Sequence, residues 1–214
     1  MSYGFLDQMV TPGVRAMQTT MGTDKVWADF RGHREFGRFG PDEAAFIGMR
    51  DSFYMATVGE SGWPYIQHRG GQPGFLKVID EKTLAFPDYR GNLQYISLGN
   101  LSTDNRIALI LMNYPSRSRM KILAHAESVL LTERPELAAQ VLDPAYKAKV
   151  EHIILLHLVT FDWNCPQHIT PRFTEAEIEE AISPLRKHVD DLEAEVKRLS
   201  EALAAEQKKQ CDPI

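Results

Sequence analysis

The sequence predicts a mainly β (α+β) fold: a closed antiparallel barrel of about six strands with flanking helices, followed by a coiled-coil-like C-terminal helix. Three observations predict it. Between residues 40 and 166, short apolar or alternating runs recur at close spacing, bounded by Gly, Pro and Asp, with few helical stretches between them. One run, residues 107–112, is continuously apolar, as in a strand buried on both faces. From Ile178 onward, Ile182, Leu185, Val189, Leu192, Val196, Leu199 and Leu203 follow at alternating spacings of four and three, an unbroken heptad stripe.

Taken in order, residues 1–39 read as an N-terminal arm, rich in Gly, Met and Thr, that wraps the body or a partner subunit. Within it, Thr11-Pro12 supplies an N-cap and a first-turn proline for a short helix. Residues 40–173 form the barrel domain. Pro41-Asp42-Glu43 opens a helix through Ile47. Strands are expected over residues 52–58, 64–69, 75–79 and 83–86, with residues 59–62 a hairpin turn, 70–74 a glycine-rich break and 80–82 a turn. Leu93, Ile96 and Leu101 give helical spacing over residues 92–101. Strands at 107–112, 118–131 and 151–162 follow, with a short helix at 135–141 that carries proline in its first turn. Residues 174–214 form the last helix. Thr174 and Glu177 make a capping box at its start. Pro184 is expected to kink or restart it, so that the longer coil runs from about Leu185. The stripe reads as a dimerising coiled coil, the alternative being a helix packed on its own barrel.

Composition narrows the function. The 214 residues carry 24 basic and 29 acidic side chains, a net charge of −5. Such a chain has no bulk attraction for nucleic acid or anionic lipid, so neither is an expected partner. The best apolar run, residues 153–161, falls short of the roughly 20 residues a bilayer needs and is interrupted by His157. Two cysteines, Cys165 and Cys211, make no disulfide framework, and residues 1–15 lack the pattern of an export signal. A reducing cytoplasm is the expected location.

The residues that could carry chemistry point to an anion. Arg69 ends a strand against Gly70-Gly71, where main-chain N–H groups can approach a ligand; Lys77 sits on the next strand; Arg90-Gly91 precedes Asn92 as the N-cap of a helix. Each piece also reads as a plain turn or cap. Arg117, Arg119 and Lys121, two apart, fall on one strand face. Trp163 with the amides of Asn164 and Gln167 could line a flat polar heterocycle. Cys165 and His168 have C-x-x-H spacing, but no second pair completes a zinc site, so no metal is expected. Cys165 has no evident base as a nucleophile. His68 reads as an acid/base, a haem ligand or a hydrogen-bonded edge histidine. Neither a P-loop nor a dinucleotide fingerprint is present.

The succession Gly62-Trp63-Pro64, Gln67-His68-Arg69-Gly70-Gly71, Pro73-Gly74-Phe75-Leu76-Lys77, Asp88-Tyr89-Arg90-Gly91-Asn92 and Ser97-Leu98-Gly99-Asn100-Leu101 resembles the pyridoxamine 5'-phosphate oxidase-like FMN-binding split-barrel family, over residues 11–173. The segment from Phe161 to His168 is similar to that of an uncharacterised bacterial branch. The resemblance implies a six-stranded antiparallel split β-barrel and a homodimer with FMN at the subunit interface. It implies cofactor contacts from Gln67, His68, Arg69, Gly70, Lys77, Phe86, Asp88, Tyr89, Arg90, Gly91, Asn92, Arg119, Trp163, Asn164 and Gln167. Arg69 and Lys77 match the phosphate ligands, Arg119 matches a polar group reaching the flavin from the partner, and Trp163 matches an aromatic over the ring. The family's basic pair after the next strand is replaced by Gly91-Asn92, which moves phosphate binding onto main-chain N–H groups and Arg90. The oxidase's substrate-holding C-terminal segment is replaced by Thr170-Pro171-Arg172-Phe173 and the coil, so the cofactor and fold carry over and pyridoxamine oxidation does not. Three activities follow: an FMN-dependent oxidoreductase acting on a small molecule, a flavin carrier or redox sensor without turnover, and a haem-binding split barrel with His68 or His168 as ligand. A deazaflavin in place of FMN is a variant of the first two.

Overall fold

The computed structural model describes residues 4–28, 36–164 and 166–211. They form two compact units, Met1–Ile169 and Thr170–Ile214. The first unit holds helices α1 (Phe5–Met9), α2 (Pro12–Thr20), α3 (Asp24–Ala28) and α4 (Pro41–Gly48), then strands β1 (Ser52–Val58), β2 (Pro64–Gly70), β3 (Lys77–Asp80) and β4 (Thr83–Tyr89). Helix α5 (Ile96–Leu101), β5 (Arg106–Asn113), β6 (Ser118–Leu130), α6 (Pro135–Val141) and β7 (Val150–Asn164) complete it. The second unit is helix α7 (Glu175–Cys211) and its lead-in.

The strands pair in one antiparallel sheet of order β2-β1-β5-β6-β7-β4-β3. This corrects the expected closed barrel of about six strands: among the described residues there are seven, and the ladder does not close, because β2 and β3 stand at its two ends. The sheet nevertheless curls, as simple lengths require. Seven residue steps from Gly70 to Lys77 reach at most about 25 Å, whereas six flat inter-strand spacings cover about 29 Å. The curl appears directly in the side chains. Phe53 of β1 packs edge-on against Phe86 of β4 with ring centres 5.2 Å apart, although three strands separate them in the ladder.

The concave face holds the main core: Phe53, Met55, Leu84, Phe86, Leu109, Leu111, Met120, Ile122, Ile154 and Phe161, closed by Phe46 and Ile47 of α4. A second cluster on the other side of β4 and β7 joins Ala85, Ile153 and Leu155 to Leu137 and Val141 of α6. Burial alternates along β1 and β5 with period two; in β5 this departs from the expected strand buried on both faces, since Ile107, Leu109 and Leu111 face the core while Ala108, Ile110 and Met112 are only partly covered.

Several local expectations change. Arg117 stands in the β5–β6 turn with φ 54°, its N–H donating to the Tyr114 carbonyl, so the expected row of three cations on β6 reduces to Arg119 and Lys121. Helix α5 starts at Ile96 rather than at Asn92. Its N-cap is Tyr95 at φ 51°, and Asn92 instead closes a turn by accepting from the Gln94 N–H at 3.2 Å. Strand β4 continues past Phe86 through Pro87 to Tyr89. Beyond Ala85 it has a neighbour on one side only, β7, the position where a sheet tolerates proline. Helix α7 runs through Pro184 as one element, without the expected restart. Its capping box forms as read: the Glu177 N–H donates to Thr174 Oγ1 at 3.2 Å, and the Thr174 N–H donates to Glu177 Oε2 at 2.7 Å. In the arm, Thr11 accepts from the Val14 N–H at the start of α2, and the side chain of Phe5 is buried beneath Lys121, whose Nζ lies 4.2 Å from the ring centre.

Candidate active site

Period-two alternation decides which β2 side chains face inward. Tyr65, Gln67 and Arg69 lie opposite Thr57, Met55 and Phe53, all three buried on the concave side. At the open mouth of the curl these side chains meet the end of β4 and the loop after it. Together they form a socket of about 200 Å³ lined by Tyr65, Gln67, Arg69, Asp88, Tyr89, Gly91, Asn92, residues 93–98 and Glu151.

The centre of the socket is an ion pair across the split. Arg69 Nη1 donates to Asp88 Oδ1 at 2.7 Å, with Asp88 buried and Arg69 partly exposed. The guanidinium also sits over the Phe86 ring at 5.9 Å. Arg69 Nε is buried and has no hydrogen-bond partner. On its far side Asp88 Oδ2 lies 4.0 Å from His152 Nδ1, which is buried without a hydrogen bond. Burial raises the Asp88 pKa above its ordinary value, outweighing the opposing pull of Arg69 and His152. At the rim, Arg90 Nε stands 3.5 Å from Glu151 Oε1, and the Tyr95 hydroxyl donates to Glu151 Oε2 at 3.0 Å. That hydrogen bond raises the Tyr95 pKa and keeps its proton in place. The Tyr65 hydroxyl donates to Gln67 Oε1.

Of the residues expected in a cofactor site, Gln67, Arg69, Asp88, Tyr89, Gly91 and Asn92 line this socket. Arg90 borders it through Glu151. The others do not reach it. His68 lies on the opposite face of β2, edge-on to Tyr54 with ring centres 5.5 Å apart. Phe86 is core. Lys77 pairs opposite Ala85 on β3, away from the socket lining. Gly70 ends β2, and the glycines after it serve packing: a Cβ on Gly71 would sit 2.8 Å from Phe75, and one on Gly74 would sit 2.9 Å from the Gly48 carbonyl at φ +80°. Arg119 pairs opposite Met112 and Asn164, and its buried Nε has no hydrogen-bond partner. Trp163 lines a separate cavity of about 830 Å³ with Phe36, Arg38, Phe46 and Phe161, its indole N–H donating to Glu43 Oε1 at 3.0 Å. Gln167 is exposed in the turn after β7, while the side chain of Asn164 and all of Cys165 lie outside the described residues.

Sequence reasoning missed Tyr65, Gln94, Tyr95 and Glu151. Tyr65 was signalled only by its parity with Gln67 and Arg69. Glu151 had no signal, because its place depends on β7 pairing with β4 about sixty residues earlier in the chain. Among the described residues no group of three or more His, Cys, Asp or Glu could hold a metal ion, and no helix is long and apolar enough to cross a membrane.

Comparison with known proteins gives the family. No curated protein matches the chain. Among solved structures, an FMN-binding protein from Syntrophomonas wolfei matches at 15% identity over 70% of this chain and 97% of its own, with a TM-score of 0.43. The HupZ protein of Group A Streptococcus matches at 14% over 63% and 99%, with a TM-score of 0.45. The FAD binding protein from Mycobacterium smegmatis matches at 9% over 59% and 95%, with a TM-score of 0.40. The family model described as pyridoxamine 5'-phosphate oxidase matches residues 40–162, more than half of the chain, from α4 into β7, and this includes every residue that lines the socket. This chain belongs to the pyridoxamine 5'-phosphate oxidase family.

Proposed function

We propose that this chain binds FMN and uses it, as a homodimer, to oxidise or reduce a small molecule. The observation that carries the reading is the Arg69 guanidinium in a socket where Gln67, Arg69, Asp88, Gly91 and Asn92 converge inside the family-matched span. A guanidinium at the wall of such a socket offers charge-assisted hydrogen bonds to a phosphate. The socket's size supports a part-ligand: about 200 Å³ is below the roughly 300 Å³ of a full small-molecule site. It therefore suits the ribityl phosphate tail and leaves the ring system outside.

Arg69, Gln67, Asn92 and Gln94 would hold that tail. Flavin, when bound, supplies reversible electron transfer, and the protein supplies position and electrostatics. Asp88 sets the electrostatics. As a carboxylate it neutralises Arg69; as a carboxylic acid it leaves the guanidinium charge to an incoming phosphate. Its raised pKa favours the second state more than an ordinary aspartate would. At the rim, Glu151 pairs with Arg90. The substrate differs from that of the oxidase, because the segment after Ile169 leads into α7.

The test is mass spectrometry of the small molecule released from purified protein, paired with flavin titration of Arg69→Ala. FMN in the wild type, and a loss of roughly 1.5–3 kcal/mol of FMN binding in the variant, are the expected results. Protein that neither carries nor takes up any flavin would overturn the proposal.

A further inference from the structure

Helix α7 exposes its apolar stripe: Ile178, Leu185, Val189, Leu192, Val196, Leu199 and Leu203 are each 43–63% accessible. We infer that this stripe is the seam of a parallel, in-register, two-stranded coiled coil with α7 of a second copy. The inference does not rest on flavin binding. Three observations carry it.

The first is how residue types sort along the stripe. Set in heptads, the a positions are Ile182, Val189, Val196 and Leu203, and the d positions are Ile178, Leu185, Leu192 and Leu199. The three interior layers thus hold β-branched residues at a and leucine at d, the arrangement that selects two parallel strands. The sorting reverses only in the two end layers. An antiparallel pair would set a against d and make no use of it.

The second is the flanks. In a parallel pair each g residue faces the e residue five positions on in the partner. The facing pairs are Ala181 with Arg186, His188 with Glu193, and Glu195 with Ser200. None joins like charges, so nothing opposes self-association. Within one helix, Arg186 already bridges Glu179 at 2.6 Å and Arg198 bridges Glu195 at 2.6 Å, which stiffens the polar side.

The third is where the pattern stops. Glu175 and Glu206 fall at the next a and d positions outward, so the seam ends at Ile178 and Leu203. That stretch is about 38 Å of helix. Pro184 falls at c, on the outer side, where it leaves the seam intact. A parallel pair brings the Thr174 caps of both copies to the same end.

The test uses the full-length chain with Cys165→Ser and Cys211→Ser as background. Leu199→Cys, near one end of the seam, should cross-link under mild oxidation to a disulfide-bonded dimer, while Arg198→Cys at position c should cross-link at least ten-fold more slowly. Absence of the Leu199→Cys cross-link, or equal rates at both positions, overturns the inference. Because Leu199→Cys alters the seam itself, a nitroxide on Glu201→Cys at the outer f position provides the second measurement. A parallel pair gives one spin–spin distance of roughly 25 Å, whereas an antiparallel pair gives roughly 40 Å and a lone helix gives none. Either of the latter two outcomes overturns it. Flavin content, read on the same samples, reports separately on the proposed function.

Discussion

Asp88 is the residue on which most of the site's behaviour turns. It is buried, paired to Arg69 and within 4.0 Å of His152, and burial raises its pKa. For an acid, a raised folded-state pKa means that the folded chain binds more protons than the unfolded chain above the ordinary value of 3.8. Stability is therefore lost as pH rises from there through the raised value, and is flat above it. Urea melts of wild type and Asp88→Asn between pH 4 and 8 should show the wild type losing ground to the variant as pH rises; a constant difference would refute this account. Gly74 makes a second case. It combines φ +80° with a Gly48 carbonyl 2.9 Å from where a Cβ would stand. Gly74→Ala should cost about 1–3 kcal/mol in the same melts, with Gly91→Ala, which meets nothing within 4 Å, as the mild control.

The elements show which parts of the fold local patterns can announce. Strands β1, β2, β5, β6 and β7 were legible because period-two alternation or a continuous apolar run depends only on neighbours along the chain. The end of β4 was not. Pro87 signals a stop, and only the absence of a β3 partner beyond Ala85 lets the strand pass through it. The start of α5 was hidden too, because Leu93 and Tyr95 adopt left-handed backbone conformations that their residue types do not advertise. The site follows the same division. Arg69 and Asn92 stood out as residue types beside turns and Asp88 entered only through the family resemblance, whereas Glu151 enters the socket only through strand pairing. At glycines 70 and 71, read as a ligand approach or a plain turn, an added Cβ would meet His68 and Phe75. In α7, Pro184 sits in the helix interior, where proline costs about 3 kcal/mol relative to alanine. Pro184→Ala should raise the thermal midpoint of the helical signal at 222 nm; an unchanged or lowered midpoint would mean that the helix does not bear this strain.

For the whole molecule, the division at Ile169 separates two kinds of stability. Among the described residues, every strand and both apolar clusters lie in Met1–Ile169. A chain ending at Ile169 should thus keep its strand signal and melt in one cooperative transition, measured by circular dichroism, whereas a broad non-cooperative melt would show that the sheet depends on α7. The family match spans residues 40–162, so the socket lies in the matched part of the chain and α7 lies outside it.

The strand order also dictates a timetable for synthesis. Hairpins β1–β2, β3–β4 and β5–β6 each join neighbours in sequence and can form as they leave the ribosome. The β3–β4 hairpin, however, is anchored to the rest of the sheet only by β7, with Thr83 waiting for His157. Until residues 150–164 emerge, the nascent chain carries a detached hairpin with a bare apolar edge. Contacts of such long sequence separation make for slow folding, so the last strand to be translated is the one that completes the Arg69–Asp88 bridge across the split.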